Sequence, residues 1–346
     1  MKKKELKIFH GPNNITNTPR KLADLERARG HKSDSVNAGS VETNGPCHIN
    51  GPRNKISSIF FRLKYMFLCM TYYQVINFHA GSSLLPFNLD LPLYKLFKRK
   101  VIFHYYGSEV RTIKELKEVN PYYKHLEADK KNSERKDFLK KIKMLWVSLW
   151  VYKAIAPKDV YFYVSNIFPQ RKISNIWSAN LLSTEFLEKI RSRSEQKLIP
   201  TIIHCPTNTA TKGTEFVIKA VDNLAKKGLN FEFVLLENKN RSYVHDYIIN
   251  KADIVLDQYL TGSFGNLCIE SMAAGKVCSC YLIDTFHKND KLPIVNTKIE
   301  NLESSLESLI LDLDKRTKIS EESYQFIKTN LNNNIILDKL ESFYLS

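Results

Sequence analysis

The chain has 346 residues, too many for one ordinary core and enough for two domains of typical size. At 43% hydrophobic and 25% charged it is globular, which excludes a disordered or fibrous chain. The net charge of +16 is uneven: residues 1–190 carry about +17 and residues 191–346 about −1.

In chain order, Leu6–His10 (LKIFH) reads as a short strand that runs into the turn Gly11-Pro12-Asn13-Asn14. Thr18 as N-cap and Pro19 at the first helical position open a helix that Gly30 closes. This is a β-loop-α unit, and its loop at the carboxyl end of the strand is placed to line a cleft. Residues 31–56 are rich in Gly, Ser, Asn and Pro, with a short strand near Ser35–Asn37 and then a loop. Ile59–Met70 predicts a helix, and Tyr73–Phe78 a strand ending at His79-Ala80-Gly81-Ser82-Ser83. Leu84–Phe97 is helical in part, with prolines at 86 and 92. Val101–His104 is a strand ending at Tyr105-Tyr106-Gly107-Ser108-Glu109-Val110-Arg111. Each strand thus ends in a glycine-containing polar turn, where an α/β sheet builds its site.

Tyr122–Lys143 is heavily charged and predicts a helical or mobile excursion. Lys140, Lys141 and Lys143 precede MLWVSLWVY, which is either a membrane-surface element or a buried helix feeding a strand over Val160–Val164 (VYFYV). Trp146 and Trp150 share one helical face, as a core pair would, which favours the buried helix.

From Leu198 the pattern sharpens. Thr201–Cys205 is a strand and Pro206–Gly213 (PTNTATKG) a loop. Thr214 caps a helix whose Phe216, Val217, Ala220, Val221 and Leu224 make one apolar face. Phe231–Leu236 (strand), Arg241–Asn250 (helix), Ile254–Leu256 (strand) and Val277–Leu282 (strand) follow, and helices take over from Glu300. Strict strand-helix alternation with short connections implies a parallel, doubly wound sheet. Two such halves facing each other would make a cleft suited to small-molecule chemistry.

The most informative stretch is Ala252–Lys276, ADIVLDQYLTGSFGNLCIESMAAGK. A buried-strand run breaks at Gly262-Ser263-Phe264-Gly265, then becomes a helix over about Asn266–Ala274, with Gly275 as its stop. That order brings free backbone N–H groups and the positive end of a helix dipole to one spot, suited to a nucleotide's diphosphate. Cys268, Ile269, Met272 and Ala273 make a core face, while Leu267, Glu270, Ser271 and Ala274 fall on the other. A carboxylate one turn into the helix can accept two hydroxyl hydrogen bonds, as from a ribose diol; a solvated surface glutamate is the plainer alternative.

The six cysteines form no disulfide or zinc pattern, and Cys278-x-Cys280 sits in an apolar strand-like run. With no apolar leader at the N-terminus and no stretch long enough to span a bilayer, the expected location is cytoplasmic, with reduced thiols. The basic half suits an anionic membrane face or a lipid-diphosphate acceptor. No helix-turn-helix, zinc-finger or RNA-binding signature is present, so no nucleic-acid partner is expected.

HCPTNTATKGTEFVIKAV followed by ADIVLDQYLTGSFGNLCIESMAAGKV resembles the donor domain of retaining nucleotide-sugar glycosyltransferases with the GT-B fold, family 4. INFHAGSSLLP, FHYYGSEVR and IFHGPNN resemble N-terminal loops of one bacterial branch of that family. The resemblance implies an α/β fold of two Rossmann-like doubly wound domains facing a central cleft. It places an acceptor-side domain over residues 1–185, a donor domain over 186–330, and a C-terminal helix over 331–346 packing back on the first. Glu270 matches the second Glu of the family's Glu-x7-Glu motif, which binds the donor ribose. Lys212 matches the lysine that neutralises the leaving diphosphate, so Lys212 and Glu270 are the expected catalytic residues. Gly262, Ser263, Phe264, Gly265 and Asn266 match the loop beside the donor sugar and diphosphate, and Gly11 the first cleft loop. His79, His104, Tyr106 and Arg111 are further cleft candidates.

The sequence departs from the family in three places. Gly262 stands where the first Glu of the motif is usual, the arginine that often partners the lysine is absent from PTNTAT, and Tyr106 replaces a usual histidine. Arg241 or Arg111 could stand in for that arginine. No nucleophile-base pair stands out, as suits a front-face retaining mechanism, and Asp312-Leu313-Asp314 lies in a helix-like segment, so neither metal nor cofactor is expected. The expected partners are a nucleotide-sugar donor, a glycan or lipid-linked acceptor, and an anionic membrane surface. The rival reading is a catalytically inactive GT-B domain acting as a partner subunit.

Overall fold

The structure is a computed structural model, describing residues 5–38, 46–127, 133–177, 181–190, 195–287 and 291–346. The chain begins with β1 (Lys7–Gly11), α1 (Thr18–Ala28), β2 (Lys32–Asn37), β3 (Ile49–Asn50), α2 (Lys55–Thr71) and β4 (Val75–His79). Then come α3 (Leu91–Leu96), β5 (Lys100–His104), α4 (Ile113–Val119), α5 (Tyr123–Glu127), α6 (Ser133–Trp150), β6 (Lys153–Ala156), α7 (Lys158–Ser165) and β7 (Ile173–Asn175). The second half runs α8 (Thr184–Lys189), β8 (Thr201–His204), α9 (Thr209–Lys212), α10 (Thr214–Lys226), β9 (Glu232–Leu235), α11 (Arg241–Asn250) and β10 (Ile254–Leu256). It ends with α12 (Asn266–Ala273), β11 (Val277–Cys280), α13 (Asp284–His287), β12 (Val295–Asn296), α14 (Leu302–Leu311), α15 (Leu313–Asn330) and α16 (Asn333–Leu345).

Two compact units result. The first holds residues 1–115, 132–181 and 333–346; the second holds 116–131 and 182–332. Residues 116–131 therefore go with the second unit, although they fall within the N-terminal half of the sequence. Residues 128–132, inside the expected Tyr122–Lys143 excursion, and residues 39–45, in the loop expected after Asn37, lie outside the described residues.

The first unit is built on a seven-stranded parallel sheet of order β3-β2-β1-β4-β5-β6-β7, with Phe9 in register with Asp34 on one side and Ile76 on the other. The second has a five-stranded parallel sheet of order β12-β11-β10-β8-β9. Central strands such as β4 and β10 are buried along their whole length, which parallel strands covered on both faces require. Strand order reverses between β1 and β4 in the first unit and between β8 and β10 in the second. Ligands collect beyond the carboxyl ends of strands at such points.

The C-terminal helix α16 completes the first unit's core. Ile336, Leu337 and Leu340 pack with Ile8, Val75 and Ile102. The Tyr344 hydroxyl donates to Glu26 Oε1 at 2.9 Å, and Arg29 meets Asp338 at 2.6 Å. Leu340 has no solvent exposure. Leu340→Ala is therefore expected to destabilise the protein by about 2–5 kcal/mol, read as a lower urea midpoint at unchanged slope. An unshifted midpoint would show that the helix is not part of this core.

Three local expectations are corrected. Val160–Val164 is helical, inside α7; the strand before it is Lys153–Ala156. The β-branched and aromatic run looked strand-like, yet Val160, Tyr163 and Val164 fall at i, i+3, i+4 and are the buried ones. Thr18 is the first helical residue of α1 rather than its cap, which is Asn17 in a left-handed conformation. Thr214 likewise opens α10, with Gly213 (φ 73°) as the cap and the short α9 just before it. Cys268 and Cys278 are buried free thiols, as their apolar context predicts.

Candidate functional site

The β8/β10 switch point carries the strongest cluster. Strand β10 ends at Leu256, and the next residue, Asp257, is fully buried. One carboxylate oxygen accepts from Lys212 Nζ; the other accepts the Gly265 N–H at 2.7 Å. Asp257 thus ties the end of α9 to the glycine turn that opens α12, and Tyr259 N–H donates to Lys212 O at 3.1 Å. Burial pulls the Lys212 ammonium down, but the Asp257 carboxylate outweighs it and holds the lysine above its ordinary value. Lys212 is therefore a fixed cation, its side chain 14% exposed.

Behind it, His204 Nδ1 lies 2.9 Å from Leu256 O and Nε2 lies 2.9 Å from Thr214 Oγ1. A neutral ring satisfies both, donating to the carbonyl and accepting the hydroxyl proton. Burial, with Lys212 nearby, pushes its pKa down to about 4.

The Gly262–Gly265 turn is pinned by backbone hydrogen bonds and by the Gln258 side chain. Ile283 N–H donates to Gly262 O at 2.9 Å, Tyr281 N–H to Gln258 O at 2.9 Å, and the Gln258 amide to Ser263 O. Gly262 has φ 75°, and a Cβ there would sit 2.2 Å from Ile283 Cδ1. The space where a side chain would begin is filled by Ile283. Gly262→Ala is expected to cost about 1–3 kcal/mol in thermal denaturation. Adding Ile283→Ala should then make the alanine at 262 less harmful than it is alone; two costs that simply add would refute the steric account. Ser263 is buried, and Phe264 is half-buried with its ring 5.7 Å from that of His287. Asn266 is the first residue of α12.

Glu270 is buried, and this corrects the expected outer face of α12: Glu270 and Ser271 are buried along with Cys268, Ile269, Met272 and Ala273. Its Oε1 accepts from Arg241 Nη2 and lies 3.2 Å from His245 Nε2. Both partners come from α11, and the Arg241 side chain is half exposed. Arg241 is thus the counter-ion of Glu270.

The other cleft candidates belong to the first unit. Gly11 ends β1, where a Cβ would lie 2.7 Å from Val36 O, so no side chain fits there. His79 and His104 are stacked at 4.6 Å and fully buried. His79 Nδ1 lies 2.5 Å from the Tyr106 hydroxyl and its Nε2 lies 3.1 Å from His10 Nδ1. His10 in turn meets Glu26 at 2.9 Å, and His104 meets Asn77 at 2.9 Å. Burial, then the neighbouring rings, hold His79 and His104 well below ordinary histidine values. Arg111 is turned onto Asp159 at 2.5 Å; burial pulls its pKa down but Asp159 outweighs that. Among the described residues, no group of three or more His, Cys, Asp and Glu is placed to hold a metal.

Sequence reasoning singled out Lys212, the glycine turn and Glu270, and the fold brings these to the carboxyl side of one sheet. It missed Asp257, His204 and His245, and offered Arg241 only as a stand-in for the arginine absent from PTNTAT, not as the partner of Glu270. For Asp257 a signal existed: a carboxylate directly after a buried apolar strand needs a partner.

No protein-family model matches this sequence, and no curated protein matches it by sequence. Solved structures do match. Sucrose-phosphate synthase from Thermosynechococcus elongatus aligns over 99% of this chain and 98% of its own at 12% identity, TM-score 0.64. Anabaena HepE, solved in complex with UDP-glucose, aligns over 98% and 100% at 12% identity, TM-score 0.62. WaaG, a glycosyltransferase involved in lipopolysaccharide biosynthesis, aligns over 98% and 99% at 11% identity, TM-score 0.57. The chain has the GT-B fold. At these identities the likeness carries the architecture of two Rossmann-like units and nothing finer. The expected α/β fold of two Rossmann-like units therefore stands.

Proposed function

We propose that the protein is a retaining glycosyltransferase that moves a sugar from a nucleotide-sugar donor to a glycan or lipid-linked acceptor. The observation that carries this reading is the fixed Lys212 cation, locked by Asp257 beside the first turn of α12. Transfer breaks the bond between the anomeric carbon and the diphosphate, and negative charge builds on the departing oxygen. A cation and backbone N–H groups already in place stabilise that charge at no reorganisation cost. The acceptor hydroxyl oxygen forms the new bond on the same face, and its proton passes to the departing diphosphate.

Glu270 would take the ribose hydroxyls by exchanging Arg241, whose half-exposed side chain is free to swing outward to the diphosphate. The first turn of α12, from Asn266 on, would present N–H groups to the phosphates, with Gly265 tied to Asp257 and with Ser263 and Phe264 beside the sugar. No metal or other cofactor takes part. The acceptor proposed is a lipid-linked glycan in cell-surface polysaccharide synthesis, reached from the cytoplasmic side by a membrane-peripheral protein, as the basic first half suggests.

One observation favours a second reading, a catalytically inactive partner subunit: Ile283 occupies the space a side chain at Gly262 would need. Incubating the protein with a panel of radiolabelled nucleotide sugars separates the two. Hydrolysis or transfer that disappears in Glu270→Ala supports the transferase. Donor binding without turnover on any acceptor supports the partner subunit.

A further inference from the structure

At the amino ends of β5, β6 and β7, away from the carboxyl-end loops, the first unit has a cavity of about 520 Å³. Six cations line it: Lys95, Lys98, Arg99, Lys153, Arg171 and Lys172. No carboxylate is among the described lining residues, and Trp150 and Tyr152 supply apolar walls. Three of the cations donate to neutral main-chain carbonyls: Arg99 to Met70 O at 2.8 Å, Lys153 to Arg171 O at 2.6 Å, and Lys172 to Ser148 O at 2.6 Å. Burial, then Lys95 and Arg171 nearby, lower the Lys172 pKa.

The helices that end at this cavity have outward apolar faces. Of the seventeen residues of α2, Tyr65 and Cys69 alone are buried. Its Ile56, Ile59, Leu63 and Phe67 form an exposed stripe at helical spacing, with Phe60 beside it. On α6, Phe138, Ile142, Leu145 and Leu149 form a second exposed stripe. Helix α3 packs against both and ends in exposed Leu96 and Phe97. Lys64, Lys95 and Lys141 are interspersed along these helices, and Lys98 follows the end of α3. Among the described residues no helix is long and apolar enough to cross a membrane. Apolar stripes flanked by lysines, beside a pocket whose described lining carries six cations and no carboxylate, are the chemistry of a helix layer lying on an anionic bilayer.

We propose that the α2–α3–α6 face docks on an anionic phospholipid surface, with the apolar stripes entering the interface and the six-cation cavity taking a lipid phosphate headgroup. The assignment rests on the membrane-peripheral reading above and adds the face, the pocket and the ligand class. It does not depend on catalysis.

The test is flotation of the full chain with phosphatidylcholine vesicles, with and without phosphatidylglycerol, alongside donor hydrolysis measured without vesicles. The protein should float with phosphatidylglycerol vesicles, weakly with phosphatidylcholine alone, and less as salt rises. Replacing three cavity cations together (Lys95→Gln, Lys98→Gln, Arg171→Gln) should weaken binding about a hundredfold at low salt. Replacing exposed apolar residues (Phe60→Ser with Phe67→Ser, or Leu145→Ser with Leu149→Ser) should weaken it too, with thermal midpoints unchanged. Equal vesicle binding by the triple variant overturns the headgroup pocket. Failure to float, with inorganic phosphate bound in the cavity, identifies a soluble anion instead. Failure to float, with self-association in sedimentation that the serine variants abolish, identifies a second copy as the occupant. Hydrolysis without flotation rejects the docking face and spares the transferase; flotation without turnover does the reverse.

Discussion

Lys212→Ala is expected to lower donor turnover by about a hundred- to a thousandfold while leaving donor binding much less affected. The lysine's charge is fixed in place before any ligand arrives, by a carboxylate with no solvent exposure. Its value to the reaction is greatest when charge appears on the diphosphate, so the loss should fall on kcat rather than KM. The substitution also leaves Asp257 buried without its cation, which by itself costs about 3–5 kcal/mol of stability. That cost must be separated from the chemical one. A Lys212→Met, Asp257→Asn double variant removes both charges and keeps an oxygen for the Gly265 N–H; it should regain much of the stability and none of the turnover. A folded Lys212→Ala protein with full turnover would remove this residue from the mechanism.

Mild acid is expected to destabilise the protein through its buried histidines. His204 titrates at about 4 in the folded state because burial, and then the facing Lys212, disfavour its charged form. The unfolded value lies near 6.5, so the folded pKa is depressed. Stability from this group is fully present above about 6.5. It is lost as pH falls toward 4, because the unfolded chain binds a proton the folded one refuses. The shift corresponds to roughly 3 kcal/mol for His204 alone. His79 and His104 shift in the same direction. Urea midpoints measured from pH 7.5 to 4.5 should fall steadily, and His204→Gln should flatten part of that slope. A midpoint independent of pH across this range would mean that these rings are not held neutral.

The α/β alternation, the parallel sheets and the turn at Gly262–Gly265 were legible because each depends on local signals: apolar runs, glycine punctuation and helical periodicity. The helix over Asn266–Ala273 was legible for the same reason, down to its core face at Cys268, Ile269 and Met272. The state of Glu270 was not. Its surroundings are set by α11, whose Arg241 and His245 lie 29 and 25 residues earlier and reach it only after both helices pack. Asp257 is intermediate: its position after a strand was visible, but its two partners, Lys212 and Gly265, are joined by folding alone. The misread Val160–Val164 shows the limit of composition, since a short β-branched and aromatic run serves a strand or a half-buried helix equally well.

Helix α16 belongs to the core of the first unit, although residues 333–346 are translated after all of 182–332. The first unit therefore cannot bury Ile8, Val75 and Ile102 fully while it emerges from the ribosome; it must wait until the whole second unit has been made. Folding order inverts chain order: the second unit can close first, and the earliest-made strands reach their final packing last. Throughout that interval the nascent first half holds an incomplete apolar sheet face, which a ribosome-associated chaperone would be expected to shield.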